Sequence, residues 1–149
     1  MSTKMKTKTT FPQANNFQLM INVLRHIGKE KSTSSSTVSQ VFGLTQRQAS
    51  YYISALKWLG LVSLDNTTYR LTTEGRRVYR LNTAQKMRHI AKITMHNPVF
   101  AKVYTNKRVT KTDMRKAKMH KLSESTQKRR ISTARSWRQT LVGHNAIAT

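Results

Sequence analysis

The sequence contains no cysteine and only five acidic residues in 149. The first absence excludes disulfides, thiolate nucleophiles and Cys-ligated zinc, and leaves the redox compartment open. The second bears on metal chemistry, because metal-assisted hydrolysis needs clustered carboxylates to hold a hard cation. Glu30, Asp65, Glu74, Asp113 and Glu124 are scattered, and none is followed two residues later by lysine, so the acid-x-lysine element of many nucleases is absent. His26, His89, His96, His120 and His144 form neither H-E-x-x-H nor a zinc spacing. A G-x-S-x-G elbow, a P-loop and a G-x-G-x-x-G turn are also missing. The chain is therefore expected to be no enzyme by itself, with no metal and no cofactor. No run of about 18 apolar residues occurs, so no membrane span is expected. The opening MSTKMKTKTTFPQ lacks the apolar stretch of a secretory signal.

What the chain has is positive charge. Lysine and arginine number 28, giving a formal net charge of +23 and a pI near 11.4. Repulsion on that scale opposes compaction and points to a polyanionic partner, with nucleic acid as the leading class. The excess is uneven: nine basic residues stand against three acidic ones between 14 and 80, and sixteen against two from 81 onward. Localisation follows the partner, and is read as cytoplasmic and nucleoid-associated.

Residues 1–13, with Lys4, Lys6 and Lys8 and no acid, read as a disordered basic arm. From Asn15 or Asn16 a helical stripe begins, carried by Phe17, Met20, Ile21, Leu24 and Ile27, with Gly28 as its expected stop. The Ser-rich segment 32–37 holds an N-cap at Ser34 or Ser35 for a short helix burying Val38, Val41 and Phe42, closed by Gly43. Thr45 caps a third helix. Its core face is Ala49, Ile53, Leu56 and Leu59, with Tyr52 inward and Tyr51 outward. Leu61–Leu64 and Tyr69–Thr72 read as strands joined by the turn residues Asp65, Asn66 and Thr67. A further helix starts at Thr72 or Thr73, with Glu74 in its first turn.

Beyond residue 80 the pattern is helical. Leu81, Met87, Ile90, Ile93 and Met95 form a weak stripe, and Asn97-Pro98 starts a new helix. Met114, Met119 and Leu122 suggest a thin amphipathic helix within 105–121. Ser123 starts the last helix, with Ile131, Ala134, Trp137 and Leu141 on one face. Residues 143–149 read as a flexible tail. There is no internal repeat. The division is thus an arm over 1–13, a domain over 14–80, a basic helical extension over 81–142 and a tail.

Three helices, a hairpin and a supporting helix in this order resemble the winged helix-turn-helix. The run LTQRQASYYISALKWLGLVSLDNTTYRLTTEGR resembles the recognition helix and wing of winged-helix DNA-binding domains. TQRQASYYISALKWLGLV, HNPVF and RRISTARSWRQTL together are similar to winged-helix modules that accompany type II restriction–modification proteins. The implied fold is mainly α, with an N-terminal winged helix followed by a basic helical extension. The implied activity is double-stranded DNA binding, in a transcriptional regulator or a DNA-recognition subunit.

The residues fit that expectation on chemical grounds. The major groove admits one α-helix, read mainly by its N-terminal turns, where arginine bonds guanine and glutamine bonds adenine. Gln46, Arg47, Ser50, Tyr51 and Ser54 share one face of those turns and are the candidate base-reading set. Candidate phosphate contacts are Ser35, Thr37, Thr45, Lys57, Asn66 and Arg70, together with Lys128, Arg129, Arg130 and Arg135 in the extension. Residues 81–142 admit a second use, as the interface of a homodimer or of a larger enzyme. High basicity would also suit an RNA-binding or ribosome-associated protein, but base-stacking aromatics on a sheet and an RNP-like or GXXG signal are lacking.

Overall fold

The computed structural model describes residues 12–148. Those residues are mainly helical, with eight helices and one two-stranded antiparallel sheet. They divide into two compact units. One comprises residues 18–80 with the segment preceding Asn15; the other comprises Asn15–Phe17 with the chain from Leu81 on. Of the expected basic arm, residues 1–11 lie outside the described residues. Pro12, its penultimate residue, is buried.

In the first unit, α1 (Phe17–Glu30) buries Met20, Ile21, Leu24 and Ile27 as their spacing requires. The expected stop at Gly28 does not occur. The helix runs on to Glu30 and turns at Lys31, which has φ 73° and donates its N–H to Ile27 O at 2.8 Å. Gly28 serves a different purpose, since a Cβ there would lie 2.5 Å from the Tyr79 ring. The short helix α2 (Ser35–Phe42) is capped by Ser34, whose hydroxyl accepts the Thr37 N–H at 3.1 Å. Only Val38 is fully buried in it; Val41, expected inside, is 56% exposed. A two-turn helix has a narrow buried stripe, which Val38 and Phe42 fill at i and i+4. Gly43 closes α2 in the left-handed region at φ 65°.

Helix α3 (Gln46–Trp58) starts at a full capping box, Thr45 with Gln48. Ala49, Tyr52, Ile53, Ala55 and Leu56 are buried along it, followed by Leu59. A hairpin follows, β1 (Val62–Asp65) and β2 (Thr68–Leu71), with Val62 opposite Leu71 and Asp65 opposite Thr68. Asn66 takes the positive φ of the turn, 59°. Both strands are offset by one residue from the sequence expectation. Leu61 is engaged in leaving α3, its N–H bonding Leu56 O at 3.0 Å. Thr72 is engaged in capping α4 (Thr73–Arg80), its hydroxyl accepting the Gly75 N–H at 2.9 Å.

In the second unit, α5 (Thr83–Thr94) opens on an Asn82–Gln85 capping box and buries Met87, Ile90 and Ala91. Ile93 is half-buried, and Met95, expected on the same stripe, is 40% exposed beyond the helix. Helix α6 (Pro98–Tyr104) has Pro98 in its first turn and Asn97 as cap. The helix expected within 105–121 shrinks to α7 (Lys111–Lys116). Asn106 and Lys118, both at positive φ, break the chain on either side of it. Helix α8 (Glu124–Gly143) is capped by Ser123 and buries Ala134, Trp137 and Leu141. It includes Gly143, and Ala146 N–H bonds back to Leu141 O at 2.8 Å, so the expected tail is ordered at its start. The core of this unit is a ring cluster: Trp137 lies 5.4 Å from Phe17 and 5.3 Å from Phe100, and Phe100 lies 5.5 Å from Tyr104. The Tyr104 hydroxyl accepts from Thr94 Oγ1 at 2.8 Å, and burial pushes its phenol pKa up.

Candidate nucleic-acid interface

The two faces of α3 divide as an amphipathic helix must. Gln46, Arg47 and Ser50 are exposed and Tyr51, Ser54 and Lys57 half-buried, while the opposite face is sealed in the core. The capping box fixes where the helix begins, and so which side chains occupy its first turns. Thr45 engages its hydroxyl with the Gln48 N–H at 3.1 Å, leaving its own proton to donate.

Arg47 and Tyr51, one turn apart, form a unit. Arg47 Nε donates to Tyr51 Oη at 2.7 Å, and the guanidinium carbon lies 5.7 Å from the ring centroid. That bond uses the inner nitrogen of the fork, while the terminal nitrogens are the pair suited to a planar acceptor edge.

Lys57 and Tyr69 link the end of α3 to the hairpin, the ammonium lying 5.9 Å from the ring centroid. Arg70 is paired with Asp65 at 3.3 Å, both side chains being about half exposed. In screened solvent such a pair is weak, about 0–1 kcal/mol, so a phosphate can compete for Arg70. Asn66 is exposed at the hairpin tip. At the start of α2, Ser35 is half-buried and Thr37 exposed, but the Thr37 N–H is already taken by Ser34. That amide is therefore not open to a ligand in this conformation.

Sequence reasoning missed Thr33. It is buried and forms an isolated bridge with Tyr69, each N–H bonding the other's carbonyl at 3.0 and 2.8 Å. His26 Nε2 lies 2.9 Å from Thr33 Oγ1, and its ring packs edge-on to Phe42. The bridge ties the loop after α1 to the hairpin. Within a run of serine and threonine, only the β-preference of Thr33 hints at it.

In the second unit, Lys128, Arg129 and Arg135 are exposed and Arg130 is half-buried. Burial holds the Arg130 guanidinium below its ordinary pKa, and the charge of Arg129 adds to the effect. The run therefore presents two open charges and one retracted. Lys107, Arg108 and Arg138 join Arg135 in lining one groove, a grouping absent from the sequence expectation because residues far apart in the chain compose it.

Among the described residues, no three His, Asp or Glu side chains are grouped to hold a metal ion. No helix among them is long and apolar enough to cross a membrane. What the geometry defines is a mainly helical chain with a cationic, partly aromatic helix face beside a hairpin. The chain belongs to the DUF7226 family, described as a domain of unknown function, whose model matches residues 19–144. No curated protein and no solved structure matches it.

Proposed function

We propose that the protein binds double-stranded DNA through a winged helix formed by residues 14–80. In this reading α3 enters the major groove, the β1–β2 hairpin is the wing, and α2 abuts the backbone. Gln46, Arg47, Ser50, Tyr51 and Ser54 face base edges. Lys57, Arg70 and Asn66 meet phosphates, with Ser35, Thr37 and Thr45 supporting them. The extension supplies further charge through Lys128, Arg129, Arg130 and Arg135. Binding serves transcriptional regulation or site recognition, including for a restriction–modification enzyme.

The observation that carries this reading is the Arg47–Tyr51 pair on the outer face of α3, whose inner face is fully packed. A helix needed only for the core has no use for an arginine held in place above its first turns. Held arginines discriminate, because bidentate bonding to guanine depends on the orientation of the fork.

Selection of bound sequences from random duplex DNA, with structured RNA as competitor, tests it. A recovered motif of a few base pairs is expected, and a palindromic motif would add a dimer. Recovery without any sequence preference, or RNA displacing the duplex outright, would overturn the reading.

A further inference from the structure

The second unit contains a groove of about 610 Å³ between α8 and the segment joining α6 to α7. Lys107 and Arg108 line it from that segment, and Arg135 and Arg138 line it from α8. Val103, Val109 and Ile131 add apolar lining, and none of the lining residues is acidic. The local geometry explains how the charges come together. Asn106 at φ 57° reverses the chain at the end of α6, and the Lys107 N–H closes onto Lys102 O at 2.8 Å. On α8, Ala134, Trp137 and Leu141 face the core, which places Ile131, Arg135 and the half-buried Arg138 along the groove at helical spacing, with Arg138 Nε donating to Tyr104 O at 3.4 Å. The nearby carboxylate is committed elsewhere, since Asp113 Oδ2 accepts from Lys102 Nζ at 3.0 Å.

We propose that this groove is a phosphodiester-binding site that takes a stretch of nucleic-acid backbone, with Lys107, Arg108, Arg135 and Arg138 as its phosphate contacts. Four like charges around one concavity repel one another and are relieved by an anion. The volume lies within the range of ligand sites. Arg135 and Arg138 are spaced about 4.5 Å along the helix axis, and the other two cations stand across from them. Charge strung along two walls suits consecutive phosphates of a strand better than one compact anion, which needs donors converging on a point. The site rests on the reading of the chain as a duplex binder, but it is separate from α3 and makes no claim on sequence.

The test is the salt dependence of duplex binding by the full chain. The variant K107Q/R108Q/R135Q is compared with K116Q/K118Q/K121Q, which removes three exposed cations outside the groove. The groove variant is expected to lower the slope of log K against log salt by about 2–3, with the base preference unchanged. The control is expected to lower it by less than about 1. Equal effects would overturn the site, as would an unchanged slope in the groove variant. If the triple variant unfolds, Ser132→Glu places a carboxylate in the groove from an exposed position, and loss of affinity at low salt is the expected result. Unchanged affinity would refute the proposal. Inorganic tripolyphosphate supplies the compact-anion arm: tight saturation of the groove amides by it, at concentrations that displace no duplex, would also refute the site as a strand binder. Loss of base preference in Arg47→Ala with an unchanged groove slope would leave the α3 reading standing and the groove refuted. A falling groove slope without any base preference would leave the reverse.

Discussion

At the scale of the residue, Arg47 is where sequence discrimination should reside. Its Nε is engaged by Tyr51, which restricts the fork to few orientations. Arg47→Ala is expected to cost about 1–3 kcal/mol on the preferred site and to relax one base position. Equal weakening on all sequences, measured by anisotropy titration, would identify it as a phosphate contact instead. Tyr51→Phe keeps the ring and removes the acceptor, so discrimination should fall by less than in Arg47→Ala while non-specific affinity holds. Asp113 tests a structural residue in the same terms. It accepts the Thr110 N–H at 2.8 Å and is bonded by Lys102, and both hold its carboxyl below the usual range. A depressed folded pKa contributes stability that is fully present above the unfolded value of about 3.9 and is lost as pH falls through the folded value. Thermal unfolding followed from neutral pH to below about pH 4 should show that loss, and Asp113→Asn should be less stable by about 1 kcal/mol at pH 7 with a flatter acid limb.

At the scale of the element, packing between backbones sets what the sequence can change. A Cβ on Gly75 would lie 2.0 Å from Leu61 O, so α4 sits directly against the chain leaving α3. Gly75→Ala must push the two apart and is expected to destabilise by about 1–3 kcal/mol or more in denaturant melts. Gly143→Ala meets open space at the end of α8 and should be neutral or slightly stabilising. Elements with strong local signals were legible in the sequence. The cap at Thr45, the helix starts at Asn97-Pro98 and Ser123, the buried stripes of α1 and α3, and that of α8 apart from the half-buried Ile131 appear where residue chemistry and period put them. Local preference fails at two places. Gly28 reads as a stop, yet it lies inside α1, where a Cβ would meet the Tyr79 ring. Met114, Met119 and Leu122 have helical spacing, yet Lys118 breaks the helix. For the candidate site, the outer face of α3 followed from its period. The Arg47–Tyr51 bond, the Thr33–Tyr69 bridge and the groove of the second unit depend on side-chain geometry or on residues distant in the chain.

At the scale of the whole molecule, +23 is the dominant fact. Asp65, Glu74 and Asp113 are each within 4.0 Å of a basic partner, so these pairs engage three of the 28 basic side chains. A chain so charged is expected to be drawn to polyanions without regard to sequence, so bulk binding alone cannot separate reading from sticking. The decisive measurement is therefore residue-resolved: backbone amide shifts of the full chain titrated with a selected duplex and with a scrambled one at the same salt. Shifts at Gln46, Arg47, Ser50, Tyr51 and Ser54 are expected to be large with the selected duplex and small with the scrambled one, and Asn66 and Arg70 are expected to shift with both. Amides of α3 that stay fixed while the duplex binds elsewhere, or that move equally with both duplexes, would contradict the proposed reading by α3.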